Sequence, residues 1–146
     1  MIEIKQIPAS QVYPVRQEVL RPGKPPEQCF FAGDAHDSTF HLGIFDNNRL
    51  AGVVSYMNTA NALFEHAHQY QLRGMAILDA YKGKGYGAAL LLEGEKKLKA
   101  REIPYLLWFN ARNYAIGFYE KYGYQTIGEK FDIPGVCEHI VMFKLL

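Results

Sequence analysis

Between Tyr81 and Leu91 the chain reads Tyr-Lys-Gly-Lys-Gly-Tyr-Gly-Ala-Ala-Leu-Leu, three glycines at alternate positions wedged between a β-rich run and a helical one. A strand that passes through a glycine turn into a helix presents backbone N–H groups and the positive end of the helix dipole to one point, where an anion is stabilised. Glycine removes the Cβ that would keep a phosphate away from the main chain. Lys82 and Lys84 add positive charge beside this cradle. A Walker loop is excluded, because it requires Gly-Lys-Ser/Thr, and a dinucleotide fold fits poorly, because its glycines belong in an early βαβ unit with an acid about 20 residues onward. Here they follow four strands.

Those strands are read from alternation and turn chemistry. Residues 2–7 alternate as a first strand; Ser10 is positioned to cap a helix that turns Val12, Val15, Val19 and Leu20 inward before Pro22 stops it. The segment 21–37 reads as a loop or short irregular helix. Two β-rich runs, 39–45 and 50–57, flank Asp46-Asn47-Asn48-Arg49, residues that tolerate the positive φ of a hairpin. A polar stretch leads to a fourth strand at 70–78. After the glycine loop, Leu90, Leu91 and Leu98 recur at helical spacing through Lys99; 105–109 is a continuous apolar run suited to a buried parallel strand. A helix over 115–122, closed by Gly123, and strands near 124–131 and 139–145 complete the chain.

The 146 residues predict a single domain, 1–146, with one core. Sixteen Lys and Arg against fifteen Asp and Glu, a net charge of +1, argue against nucleic acid or an acidic membrane as partner, and any charge selectivity must be local. Lys96, Lys97 and Lys99 alternate with Glu93 and Glu95 as a solvated helix face does. No apolar run spans a bilayer or resembles a signal peptide, and a cytoplasmic location is expected. Cys29 and Cys137 are far apart and without a CxxC or zinc spacing, so both read as free thiols and no metal is expected.

The loop Lys82-Gly83-Lys84-Gly85-Tyr86-Gly87 resembles the acetyl-CoA loop of the GNAT acetyltransferase superfamily, Gln/Arg-x-x-Gly-x-Gly/Ala, with Lys82 at the usual Gln/Arg position. A second block, Asn110 through Tyr124 with Phe118-Tyr119-Glu120-Lys121, resembles the family's later helix and strand. The likeness narrows to the bacterial glyphosate N-acetyltransferase group through Leu20-Arg21-Pro22, Phe40-His41-Leu42-Gly43, Tyr70 to Ala76, Leu106 to Trp108, Asn110 to Arg112, and Gly128-Glu129 through His139 and Met142. The implied fold is a single α/β domain: a mixed, mostly antiparallel sheet of about seven strands, helices on both faces, and a splayed central strand pair.

The same resemblance implies a site. Acetyl-CoA serves as acetyl donor, its pantetheine arm along Met75, Ala76 and Ile77, with Lys82, Gly83, Lys84, Gly85, Tyr86, Gly87, Asn113 and Phe118 as further donor contacts. Arg21, Arg73 and Arg112 hold the carboxylate and phosphonate or phosphate of a small anionic amine, His139 is the base and Tyr119 the acid. The residue types suit that chemistry. Imidazole, with an ordinary pKa near 6.5, takes an ammonium proton near neutrality, a phenol can reprotonate a leaving thiolate, and guanidinium groups match carboxylate and phosphate oxygens in pairs. A strand N–H, that of Met75 or a neighbour, would stabilise the oxyanion. His36, His41, His66 and His68 carry no comparable context. The expected protein is a monomer or weak homodimer. Alternative readings are a non-catalytic acetyl-CoA-binding sensor and an acetyltransferase for peptides or cationic amines; the latter would want carboxylates near the motifs, and none is evident.

Overall fold

Asn47 and Asn48 take φ values of 49° and 68°, the left-handed pair that lets two strands turn back on each other without splaying. The hairpin they close joins β2 (Phe40–Asp46) to β3 (Arg49–Met57) in a computed structural model that describes residues 1–146. The other strands are β1 (Ile2–Ile7), β4 (Gln69–Ile77), β5 (Leu106–Arg112), β6 (Gln125–Ile133) and β7 (Cys137–Leu145). All seven form one sheet in the order β1-β2-β3-β4-β5-β7-β6. Every neighbouring pair is antiparallel except β4 and β5, which the glycine loop and its helix connect in parallel.

Two irregularities shape the centre of this sheet. Strands β4 and β5 pair only over Gln69–Gln71 and Leu106–Trp108 and then diverge, leaving the β5-facing edge of Leu72–Ile77 without a strand partner. Strand β4 also bulges against β3: Ala76 faces Val53 and Arg73 faces Ser55, so one extra residue is accommodated near Gly74, whose φ is +64°. A bulge of this kind kinks the strand and re-aims its side chains.

Helices cover both faces. On one, α2 (Tyr86–Lys99) and α3 (Ile116–Glu120) bury Leu90, Leu91, Leu98 and Tyr119 among Leu42, Tyr56, Leu107 and Phe109. On the other, α1 (Ala9–Leu20) packs Val12 and Val15 against Ile7, Val53 and Ala76. Each such aliphatic side chain contributes about 1.5–3 kcal/mol when fully buried. No helix is long and apolar enough to cross a membrane.

Two local expectations are corrected. Ser10 lies inside α1 rather than at its cap; Pro8 is the N-cap residue and no side chain bonds there. The later helix is shorter than 115–122, because Asn113–Ala115 forms a 3₁₀ turn and α3 ends at Glu120, ahead of Gly123 at φ +90°. The apolar face of α1 also carries a charge, since Arg16, one turn after Val12, is fully buried.

Candidate active site

The splay between β4 and β5 opens into a cleft of about 640 Å³. Its walls come from five places: the end of α1, the loop carrying Phe31, strand β4, the glycine loop with the start of α2, and the β5–α3 junction together with His139.

At the glycine loop, Gly83 and Gly85 both adopt φ +80°. Gly85 is the N-cap of α2, with no side-chain cap bond, and the first turn holds no acidic residue. The leading amides of α2 therefore meet no internal acceptor, and they stand at the positive end of a 14-residue helix. Lys82 lines the cleft, yet its Nζ lies 2.9 Å from Asp79, and Lys84 sits 3.8 Å from Asp46, outside the cleft lining. The Lys82 pair is exposed on both sides and worth about 0–1 kcal/mol, easily exchanged for a phosphate, whereas the Lys84 pair joins an exposed lysine to a part-buried aspartate. Gly83, Gly85, Tyr86 and Gly87 line the cleft; the Tyr86 hydroxyl donates to Asp46 Oδ2 at 2.6 Å.

Met75, Ala76 and Ile77 form the β4 wall and Phe118 the opposite one, while Asn113 is exposed and does not line the cleft. The open edge of β4 can accept an extended arm as an additional strand would be accepted, through main-chain hydrogen bonds. An unpartnered helix start, an open strand edge and a glycine floor are together suited to a long molecule with a pyrophosphate in its middle.

The cleft's other end gathers Arg21, Arg73, Arg112, Tyr119 and His139. His139 is buried, and its Nδ1 lies 2.7 Å from the Cys137 carbonyl oxygen. A carbonyl cannot donate, so Nδ1 carries a proton, and in the neutral ring the lone pair is on Nε2. The ring stacks on Phe131, 5.9 Å away at 26°, where a register shift in β6 brings Phe131 opposite His139. Arg112 is paired with His139 across β5 and β7, and its Nη1 donates to the Tyr114 hydroxyl at 2.9 Å. The Tyr119 hydroxyl makes no hydrogen bond within the chain, and burial pushes its pKa up to about 12 despite the nearby Arg112 charge. Arg21 Nη1 donates only to the Leu20 carbonyl at 3.1 Å. Arg73 is half-buried and lies 4.1 Å above the Phe31 ring with no carboxylate partner; desolvation, then the charge of Arg16, lowers its pKa from the usual guanidinium value.

Several lining residues escaped the sequence reading. Gln71 is buried in the cleft wall two positions before Arg73, and Asn110 stands two positions before Arg112. Both follow from the two-residue period of a strand once its arginine is placed. Phe31 and the buried ion pair beside it, Arg16 with Asp34, had no local pattern beyond a basic residue on the apolar face of α1.

The model of the acetyltransferase (GNAT) family matches residues 6–124. YitI of Bacillus subtilis (strain 168), described as an uncharacterized N-acetyltransferase, is 38% identical over 146 residues, covering all of this chain and 97% of the relative. The crystal structure of Escherichia coli ElaA superimposes with a TM-score of 0.81 at 16% identity, covering 99% of each chain. PaiA N-acetyltransferase of Thermoplasma acidophilum, solved in complex with coenzyme A, gives 0.70 at 19% identity, covering 100% of this chain and 99% of that one. With a family match over most of its length and a full-length N-acetyltransferase relative, the chain belongs to the GNAT acetyltransferase family.

Proposed function

We propose that this N-acetyltransferase uses acetyl-CoA to acetylate the amine of a small acceptor bearing carboxylate and phosphonate or phosphate groups, as in the glyphosate N-acetyltransferase group it resembles. The observation that carries this reading is the charge of the cleft. Arg21, Arg73, Lys82 and Arg112 line it, no aspartate or glutamate does, and Arg73 has no counter-ion of its own. A half-buried cation is costly unless an opposite charge meets it, and an anionic acceptor supplies that charge. A cationic amine would meet only repulsion.

The donor end supports acetyl-CoA: the amides of Tyr86 and Gly87 with Lys82 would hold the pyrophosphate, and the β4 edge from Met75 to Ile77 the pantetheine arm. Acetyl-CoA supplies the thioester carbonyl that the amine attacks and the thiolate that leaves. His139 takes the ammonium proton at Nε2, with Nδ1 anchored on Cys137 keeping that nitrogen aimed and bare. Tyr119 passes its hydroxyl proton to the departing sulfur, and its raised pKa keeps the phenol charged with that proton at working pH. The main-chain N–H of Met75 or a neighbour stabilises the oxyanion.

The test is coenzyme A thiol release with glyphosate, phosphoserine and other anionic amino acids beside neutral and cationic amines. Turnover confined to the anionic amines is expected. Preference for cationic amines would overturn the acceptor assignment, and acetyl-CoA binding with no turnover across the panel would overturn the catalytic one.

A further inference from the structure

Arg16 is the most deeply buried charge in the molecule; its two terminal nitrogens are fully engaged, while Nε has no partner. Nη1 donates to Asp34 Oδ2 at 2.8 Å and to the Cys29 carbonyl at 2.9 Å, and Nη2 to Asp34 Oδ1 at 2.9 Å and Ser55 Oγ at 2.8 Å. Asp34 Oδ2 also accepts the Phe31 N–H at 2.7 Å. The Asp34 carboxylate is thus used on both oxygens, and its backbone is held in turn by His41, whose Nε2 lies 3.0 Å from the Asp34 carbonyl. These bonds fold the loop so that one aromatic ring serves two guanidinium groups: Arg16 Cζ lies 3.8 Å and Arg73 Cζ 4.1 Å from the centre of Phe31.

Arg16 and Arg73 share one ring, and the nearby Asp34 carboxylate gives its hydrogen bonds to Arg16 and the Phe31 N–H and reaches Arg73 only through its charge. Gly74 makes the arrangement sterically possible, because a Cβ there would stand 3.0 Å from Arg16 Nε and 3.0 Å from Phe31 Cε2. We propose that Arg16 and Asp34, acting through Phe31, are positioning residues that deny Arg73 an internal counter-ion and so reserve its charge for the acceptor's anion. The inference rests on the assignment of Arg73 to the acceptor site. A pair that served only to hold the loop would need neither the exhaustion of both Asp34 oxygens nor the shared ring.

Three variants and a control decide the matter, each assayed below its own unfolding temperature. In Arg16→Gln the freed Asp34 carboxylate turns to Arg73, and KM for the anionic acceptor rises about tenfold or more while kcat and KM for acetyl-CoA stay within about twofold. Adding Asp34→Asn removes the competitor and returns the acceptor KM to within about threefold of the parent. A double variant as impaired as the single one, or a single variant with unchanged acceptor KM, overturns the proposal. Phe31→Leu removes the ring that Arg16 and Arg73 share while keeping the Arg16–Asp34 hydrogen bonds, and covers the case in which Arg16→Gln fails to fold: a selective rise in acceptor KM supports the device, and no rise sinks it. Arg73→Gln separates the two levels. If it leaves the acceptor KM unaltered, the assignment of Arg73 itself is wrong; if it raises that KM while Arg16→Gln and Phe31→Leu do not, only the positioning role fails.

Discussion

The Nδ1 of His139 and the carbonyl oxygen of Cys137 stand 2.7 Å apart, two residues from each other at the start of β7. The bond places the proton of the neutral ring on Nδ1, and Phe131 stacks on a ring that lines the cleft. His139→Ala is therefore expected to lower kcat by about 10²–10⁴-fold while the dissociation constant for acetyl-CoA changes little. Steady-state rates alongside calorimetric titration of acetyl-CoA would check this, and an unaltered kcat would remove His139 from the reaction.

Tyr119 is a different kind of acid from a surface tyrosine. Burial is the main cause of its upward shift to about 12, with Tyr114 adding to it and the Arg112 charge opposing it. A general acid works in its protonated form, so activity that depends on Tyr119 falls only as pH rises through that raised value. The kcat profile should show no alkaline loss owed to Tyr119 up to about pH 10, and Tyr119→Phe should lower kcat by about 10²–10⁴-fold at every pH below it. An alkaline limb near pH 9 that vanishes in Tyr119→Phe would contradict the raised pKa.

The glycine loop should report separately on the donor. Gly85 holds φ +80° with open space where a Cβ would go, so Gly85→Val is opposed by backbone conformation rather than by collision. The left-handed conformation costs an L-residue about 1–2 kcal/mol, and a β-branched one more. If the loop relaxes to escape that cost, the first amides of α2 lose their aim, and KM for acetyl-CoA rises while acceptor KM holds. Equal effects on both would argue that the loop does not address the donor alone.

Behind the loop, Gly94 is where α2 meets the sheet. A Cβ there would overlap the Tyr56 phenol, whose hydroxyl donates to the Leu90 carbonyl at 3.0 Å. Tyr56 is fully buried and would have to shift to admit the methyl, so Gly94→Ala should destabilise the fold by about 1–3 kcal/mol or more. Urea unfolding would measure it, and a neutral result would mean that helix and sheet can separate at little cost.

The order of elements and the parallel pair were legible because strands and helices have different periods and because Asn47-Asn48 and the glycine loop mark their turns locally. The seven-stranded mixed sheet with helices on both faces is the one expected from the GNAT resemblance. That Arg21, Arg73, Arg112, Tyr119 and His139 line one cleft matches the grouping implied by that resemblance; their chemical roles rest on the assays above. What escaped was non-local. The extra residue near Gly74 in β4 appears only when β4 is set against β3, and Arg16 reads as a flaw on an apolar helix face until Asp34, eighteen residues away, is brought beside it.

That ion pair also carries a pH signature. Burial alone would raise the Asp34 pKa, but the Arg16 hydrogen bonds, the Phe31 N–H and the charges of Arg16 and His41 outweigh it and hold Asp34 below its ordinary 3.8. A carboxylate whose pKa is depressed in the folded state adds stability that is present above the unfolded value and disappears as pH falls through the folded one. At neutral pH, Asp34→Asn leaves Arg16 buried without a counter-charge, a loss of about 3–5 kcal/mol. Below its folded pKa, itself under the ordinary 3.8, the wild-type carboxyl takes up its own proton, so the two proteins should converge progressively as pH falls under 3.8. Urea midpoints at neutral pH, near pH 5 and below pH 4 would follow that convergence. A constant gap across the series would show that the pair acts through packing, because the other carboxyls and the histidines are common to both proteins and only the Asp34 charge differs between them.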